Sequence, residues 1–513
     1  DQSPARSDGY RASPTSVLRV VSRRGSVGSQ GRRDEKGLGV NSLRLLALAP
    51  GVGADTSPAI TAIREMLANA RSCDRGIGHQ ARPRSDHRAD NASIPALDSD
   101  ARRTRHVLGR LPARADPSVT SDCRWQKDRP LDVQSRRHRI GYAVYRTWPD
   151  SLLLMTLPLS LAPDSVCMLR LSAIGDITHA LPVFRTLQFH WPQTSITWVI
   201  GKNEHALVRE LTGVEFITFD KSLGFGAYRA VRQQLAGRRF DVLLHMQVSL
   251  RASLTSLLIK AGTKVGFDRA RAKDLQWLFT NAKIVAPTTR QHVVDSFVEF
   301  PRRLGLEPVM RWDLPVSRQA RDSMQRLVSG DRLLVINPCA VAKARSWRNW
   351  TVEGYATVAD YAATQQQMTV ILSGGPASDE RKVAEAIIAT CKHEPLNLVG
   401  STTLPELVAL LSLADVVIAP DTGPAHIASA LGTPVIGLYA ATNPLRACPY
   451  NFQQYVVNRY PDALEQYYDM TVDQAPWGKR IRNDQCMALI KPTDVTAMLD
   501  RVLQEHPQKR QGR

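Results

Sequence analysis

Asp176 lies in the stretch Leu-Ser-Ala-Ile-Gly-Asp-Ile-Thr-His, residues 171–179, between an apolar run (166–171) and a helical pattern (180–188). At such a strand-to-helix turn, a nucleotide-binding α/β domain offers glycine amides to a phosphate. Here a single glycine, Gly175, is followed by a carboxylate, which repels phosphate. Two roles fit Asp176. It either caps the helix, or it faces a cleft as a general base, taking the proton of a hydroxyl that attacks an activated carbon.

A second constellation spans 418–444, IAPDTGPAHIASALGTPVIGLYAATNP. A strand ends at Ala419 and a helix is expected from Pro424, with proline in its first turn. Thr422 and Gly423 can offer backbone amides, and Thr422 its hydroxyl, to an anion at that positive helix end. Asp421 is placed to accept from sugar hydroxyls or to cap the helix. His426, one turn in, either faces the same phosphate or packs.

Two weaker signals follow other strands. Ser373-Gly374-Gly375-Pro376 makes a tight turn after MTVIL, and Glu380 beyond it suits a ribose hydroxyl or an ordinary first-turn carboxylate. Lys343, Arg345 and Arg348 cluster after RLLVI. They suit either a departing diphosphate, on which charge builds as a glycosidic bond breaks, or a solvated basic loop.

The elements that must position these residues alternate between strand-like and helix-like from residue 166 onward. Strands are expected at 166–171, 195–200, 214–219, 240–246 and 264–266, with helices at 180–189, 204–211, 228–236 and 255–261. The pattern restarts after Pro315, with strands at 332–336, 368–372, 396–399, 416–419 and 435–438. Helices are expected between them, and a last one at 492–503 is expected to cross back to the first domain. Alternation of this kind predicts an α/β chain with parallel sheets covered on both faces. Two doubly wound domains are expected, 166–318 and 319–503, with ligands in the cleft between them.

The 513 residues carry a net charge of +19, which points to an anionic partner. Residues 1–150 hold 25 Arg and 2 Lys, rich in Ser, Asp, Gly and Pro and without sustained period. This composition predicts disorder for 1–154. Aromatic residues for base stacking are nearly absent there, which disfavours a nucleic-acid arm. An alternative is a native start at Met155, the upstream sequence being joined by a mis-assigned start. Seven cysteines without CxxC spacing argue against a zinc site and fit a reducing compartment. No apolar run approaches the ~20 residues of a membrane span.

From about 166 to 500 the chain resembles glycosyltransferase family 9, the ADP-heptose:lipopolysaccharide heptosyltransferases. The resemblance is carried by LRLSAIGDITHALP (169–182), FDVLLHMQVSLRAS (240–253), KVGFD (264–268) and the run 421–451. Its form is closest to the heptosyltransferase I branch of the OpsX type. The resemblance implies a GT-B fold, two Rossmann-like domains facing a cleft. It implies inverting, metal-independent transfer of heptose from ADP-heptose to Kdo of the inner core, with no cofactor beyond the donor. The family's base matches Asp176, and its donor motif matches Asp421, Thr422 and Gly423, with His426 in the following helix. The family's diphosphate lysine falls on Arg348, a planar fork in place of a point charge, so Lys343 or Arg345 are alternatives for that role. A phosphorylated glycolipid acceptor makes Arg251, Lys264 and Arg269 candidates to bind it. Peripheral contact with the cytoplasmic face of a Gram-negative inner membrane follows from that acceptor. Heptosyltransferase II or another family 9 core transferase is the alternative, differing in acceptor.

Overall fold

The computed structural model describes residues 156–340 and 346–507. The extension 1–154, with Met155, and the candidate cations Lys343 and Arg345 lie outside the described residues.

The first half contains strands β1 (Ser165–Leu169), β2 (Ser195–Gly201), β3 (Glu215–Phe219), β4 (Phe240–His245), β5 (Ala261–Gly266) and β6 (Ala282–Lys283). Its helices are α1 (Ile174–His190), α2 (Lys202–Val208), α3 (Phe225–Gln234), α4 (Leu250–Ser256) and α5 (Val293–Leu304). All strand pairs are parallel, in the order β3-β2-β1-β4-β5-β6. The near-continuous apolar runs follow from this, because both faces of a parallel sheet are covered. Along β1, Val166 and Met168 enter one core and Cys167 and Leu169 the core on the opposite face.

The second half repeats the plan. Its strands are β7 (Leu333–Ile336), β8 (Thr369–Leu372), β9 (Leu396–Asn397), β10 (Val416–Pro420), β11 (Val435–Tyr439) and β12 (Val456–Asn458). Its helices are α6 (Arg318–Leu327), α7 (Val352–Thr364), α8 (Ser378–Thr390), α9 (Leu404–Leu413), α10 (Gly423–Ala430), α11 (Pro444–Ala447), α12 (Tyr460–Tyr468) and α13 (Pro492–Glu505). The order β12-β11-β10-β7-β8-β9 is the same doubly wound arrangement as in the first sheet. In each sheet the first and fourth strands are neighbours, and the connections diverge there, where ligands bind. Asp176 follows β1 and Asp421 follows β10, so each stands beside such a divergence point.

Three expectations are corrected. Helix α1 begins at Ile174, six residues before the expected start, so Gly175 and Asp176 belong to its first turn and not to a loop. Glycine usually punctuates a helix, but Gly175 is needed here for a close approach described below. Helix α4 starts at Leu250 because the Ser249 hydroxyl caps it, accepting from the Ala252 amide, and the chain is back in a strand by Ala261. The last helix, α13, does not cross back. It packs on α7 and strands β10–β12 through Val495, Leu499 and Val502. Its Asp500 accepts from the Tyr361 hydroxyl at 2.8–2.9 Å, which ties it to its own half.

Candidate active site

The carboxylate of the first half, Asp176, is placed by the first turn of α1. Asp176 Oδ2 accepts from the Ala173 amide at 3.2 Å, so the carboxylate reaches back to the residue preceding the helix. The same oxygen pairs with Arg170, the residue after β1. Arg170 is 8 % exposed and donates to the Met246 carbonyl. Gln247 Oε1 accepts from the Leu171 and Ser172 amides at 2.7 and 3.2 Å, fixing the intervening loop. One-third of the Asp176 side chain remains open (33 %). Burial pushes its pKa up, but the Arg170 charge and the His179 imidazole outweigh this and hold the carboxyl well below the usual range. Asp176 therefore satisfies the start of the helix and at the same time keeps a partly open carboxylate oxygen beside Arg170.

On the other half the helix cap is Thr422, not Asp421. The Thr422 hydroxyl accepts from the Ala425 amide at 3.4 Å, and Gly423 and Pro424 form the first turn of α10. Asp421 is thus left for other partners. Arg348 Nη1 donates to its carbonyl at 2.6 Å and lies 3.3 Å from its Oδ2. His426 Nε2 lies 3.7 Å from Oδ1. Burial raises the Asp421 pKa, but His426 and Arg348 bring it below its ordinary value. On the neighbouring strands, Glu380 Oε2 accepts from the Gly375 amide at 2.6 Å and shapes the turn after β8. Ser373 is fully buried and is held by Asn337 Nδ2, which donates to its carbonyl at 2.9 Å. Ser373 and Glu380 therefore build the loop, and Gly374 lies within it, where a Cβ would come within 3.0 Å of Glu380 Oε2 and 3.2 Å of Val399 Cγ1.

The two halves meet at the first turns of α1 and α10. His179 Nε2 lies 3.3 Å from His426 Nδ1, a contact between residues 247 apart in the chain. His179 Nδ1 is 3.8 Å from Asp176 Oδ1. Side chains thus run continuously from Arg170 through Asp176, His179, His426 and Asp421 to Arg348. A Cβ on Gly423 would lie 3.4 Å from Ile174 Cγ2 and 3.9 Å from the Gly175 amide nitrogen. Two positive helix ends are brought together there, and the two aspartates offset them. Arg170 and His179 were legible only as members of the motif. Their partners lie across the fold or in the other half, so spacing alone did not mark them.

The proposed acceptor-binding cations separate. Arg251 is exposed and lines a cavity of about 180 Å³ at the carboxyl ends of β1–β3, together with Ser172, Lys202 and Lys221. Arg269 is exposed and lies over the Trp277 ring, 5.2 Å from its centroid, and does not line that cavity. Lys264 is 4 % exposed in the interior strand β5, and its Nζ donates to the Ser256 carbonyl at 3.1 Å. Desolvation lowers its pKa to about 8. An interior lysine held by its own half cannot reach a ligand in the cleft, so it is removed from the acceptor set. Among the described residues no group of three or more His, Cys, Asp or Glu is arranged to hold a metal ion, and no helix is long and apolar enough to cross a membrane.

Comparison with known proteins agrees with this geometry. Residues 228–472 match glycosyltransferase family 9 (heptosyltransferase). The lipopolysaccharide core heptosyltransferase OpsX of Haemophilus influenzae is 39% identical over 345 residues, covering 66% of this chain and 97% of that protein. The structure of E. coli ADP-heptose lps heptosyltransferase II superimposes with a TM-score of 0.53 at 20% identity, covering 67% of this chain and all of that one (100%). E. coli heptosyltransferase WaaC with ADP gives 0.51 at 18%, covering 66% and 99%. The two facing doubly wound halves are those of a GT-B glycosyltransferase, and the chain belongs to glycosyltransferase family 9, the heptosyltransferases.

Proposed function

We propose that the protein transfers L-glycero-D-manno-heptose from ADP-heptose to Kdo of the lipopolysaccharide inner core, with inversion and without a metal ion. The observation that carries this reading is the unbroken line of side chains from Arg170 to Arg348, which joins an ionised carboxylate on one half to a cation and a carboxylate on the other. The name of the H. influenzae relative and the ADP in the E. coli WaaC structure support the donor and the acceptor class.

In this reading Asp176 accepts the proton of a Kdo hydroxyl as its oxygen attacks the anomeric carbon. The new carbon–oxygen bond forms on one face while the bond to phosphate breaks on the other, and ADP departs with the electron pair. Arg348 and the amides of Thr422 and Gly423 stabilise the charge developing on the diphosphate, with Lys343 or Arg345 as the alternative cation. Asp421 and His426 orient the donor sugar. Because Arg170 keeps Asp176 ionised, the base is ready at neutral pH, though its low proton affinity limits how much of the transfer it drives. The cavity lined by Lys202, Lys221 and Arg251 receives the anionic groups of the acceptor. Such an acceptor places the enzyme on the cytoplasmic face of the inner membrane.

The test is ADP release by the full chain given ADP-heptose and Kdo-lipid A, beside Asp176→Asn. Release should need both substrates and should fall roughly 10²–10⁴-fold in the variant, while ADP-heptose binding persists. An active variant would remove Asp176 from the chemistry. Turnover only on an acceptor that already carries heptose would favour the heptosyltransferase II alternative.

A further inference from the structure

The rim of the Lys202–Lys221–Arg251 cavity continues into a surface that the transfer reaction does not use. After β3 the chain makes a 3-10 turn, Lys221–Leu223, and then enters α3. Leu223 and Phe225 flank Gly224 and are 55% and 58% exposed, although both are large apolar side chains. Gly224 has φ +53°, and a Cβ there would meet nothing within 4 Å. The turn therefore projects its two neighbours outward, with open space between them.

Helix α3 extends the same surface. Ala227 and Val231 face the core. Phe225, Arg229 and Arg232 recur at i, i+4 and i+7, so they share the opposite, exposed face. From 221 to 239 the chain carries Lys221, Arg229, Arg232, Arg238 and Arg239 and no acidic residue. Arg238 is paired with Glu215 at 2.6 Å. Among the described residues Lys221, Arg229, Arg232 and Arg239 make no ion pair. Two projecting apolar side chains are bordered by cations, and the carboxylate at their base, Asp220, is taken up by Lys202 at 2.8 Å and by the Ser222 amide; such a surface suits the interfacial region of an anionic bilayer. A folded acidic protein would match the same features, but Lys221 belongs both to this surface and to the cavity assigned to a glycolipid acceptor, and that continuity favours the bilayer.

We propose that the 221–232 segment docks the protein on an anionic lipid surface, with Leu223 and Phe225 entering the headgroup boundary and Arg229 and Arg232 against lipid phosphates. This rests on the acceptor reading of the adjacent cavity, because docking there would hold the cavity at the height of a membrane-anchored sugar headgroup.

The test uses the full chain and vesicles of phosphatidylcholine with or without phosphatidylglycerol, in the absence of substrates. The protein should sediment with the anionic vesicles. Leu223→Ser/Phe225→Ser should weaken that binding at least tenfold, and Arg229→Ala/Arg232→Ala should lose about fivefold per cation. Phe225→Trp should gain fluorescence quenching by brominated anionic lipids over the parent chain. Unchanged binding in both double variants, or no added quenching at 225, overturns the proposal and assigns any vesicle binding to another part of the chain. The Ser variant should retain transfer to detergent-dispersed acceptor and lose it on vesicle-embedded acceptor; equal loss on both also overturns the proposal. If the parent chain shows no transfer while the vesicle results hold, the functional reading fails and the docking surface stands.

Discussion

Gly175 of α1 and His426 of α10 are packed so closely that a Cβ on Gly175 would lie 2.7 Å from His426 Cδ2. The glycine is inside a helix, where alanine normally gains about 0.5–1 kcal/mol. His426 is buried and tied to His179 and Asp421, so it cannot swing away cheaply. Gly175→Ala is therefore expected to cost roughly 1–3 kcal/mol, as overpacking does, and to lower turnover by displacing His426. Chemical denaturation and ADP release check both effects. A stabilised variant would mean that the two helix ends part easily.

Under the proposed function, the Arg170 pair sets the proton affinity of Asp176. Replacing Arg170 with Gln removes the charge that keeps Asp176 ionised, so the acid limb of the kcat/KM profile should move to higher pH by roughly one to three pH units. Arg170→Lys should restore part of the parent profile. A pH profile followed from acid to neutral is the measurement.

Burial holds three histidines neutral. The pKa values of His179, His245 and His292 are lowered to about 4, 3 and 3, desolvation being the largest cause for each. The unfolded imidazole titrates near 6.5, so below that pH the unfolded chain binds protons that the folded chain refuses. Their contribution is fully present above about pH 6.5 and is lost as pH falls toward 3–4, by up to ~1.4 kcal/mol per pH unit for each histidine. Asp176, also lowered, acts in the same direction at more acid pH. Urea midpoints at pH 7 and pH 5 should differ accordingly, and His245→Gln should flatten the dependence by one histidine's share.

Arg348 holds Asp421 through both its carbonyl and its carboxylate. Arg348→Ala should weaken ADP binding about tenfold or more, the worth of a charge-assisted hydrogen bond. Arg348→Lys should recover only part of this: both Asp421 contacts come from Nη1 alone, and the ammonium lacks the second Nη that the planar fork keeps for a phosphate oxygen. Calorimetric titration with ADP reads this directly.

Arg251 and Lys264 should respond in opposite ways. Arg251→Ala is expected to raise the acceptor KM at unchanged stability. Lys264→Met should leave the acceptor KM within about twofold and cost roughly 1–3 kcal/mol of stability, because the buried Ser256 carbonyl loses a donor.

The central strands were legible because buried parallel strands are nearly continuous apolar runs, as VCML of β1 and TVIL of β8 illustrate. Helix α5 was not, since Pro301 in its last turn reads as a break. β6 and β12, two and three residues long, leave no pattern. Asp176 and Asp421 were legible as carboxylates where a strand gives way to a helix, Asp421 directly after β10 and Asp176 within the first turn of α1. Their local roles were not: the choice of Thr422 over Asp421 as the cap depends on which side chain points at the Ala425 amide. His179 lay within the motif, but its meaning depends on His426 in the other half. Lys264 was misread because charge in a sequence does not disclose burial. The strand around it, AGTKVG, contains two glycines and a threonine and looks half-exposed, yet every residue in it is buried.

With α13 retained by its own sheet, the described chain passes from one half to the other only once, between Leu304 at the end of α5 and Arg318 at the start of α6. That tether is pinned to α1, where Arg185 holds the Asp313 carbonyl and Thr186 accepts from the Val309 amide. Cut in this segment, the protein would become two polypeptides, each with a complete six-stranded sheet and one side of the histidine contact. Activity recovered from the separately made pieces would measure how strongly the halves recognise each other without a covalent link, an affinity that the intact chain conceals.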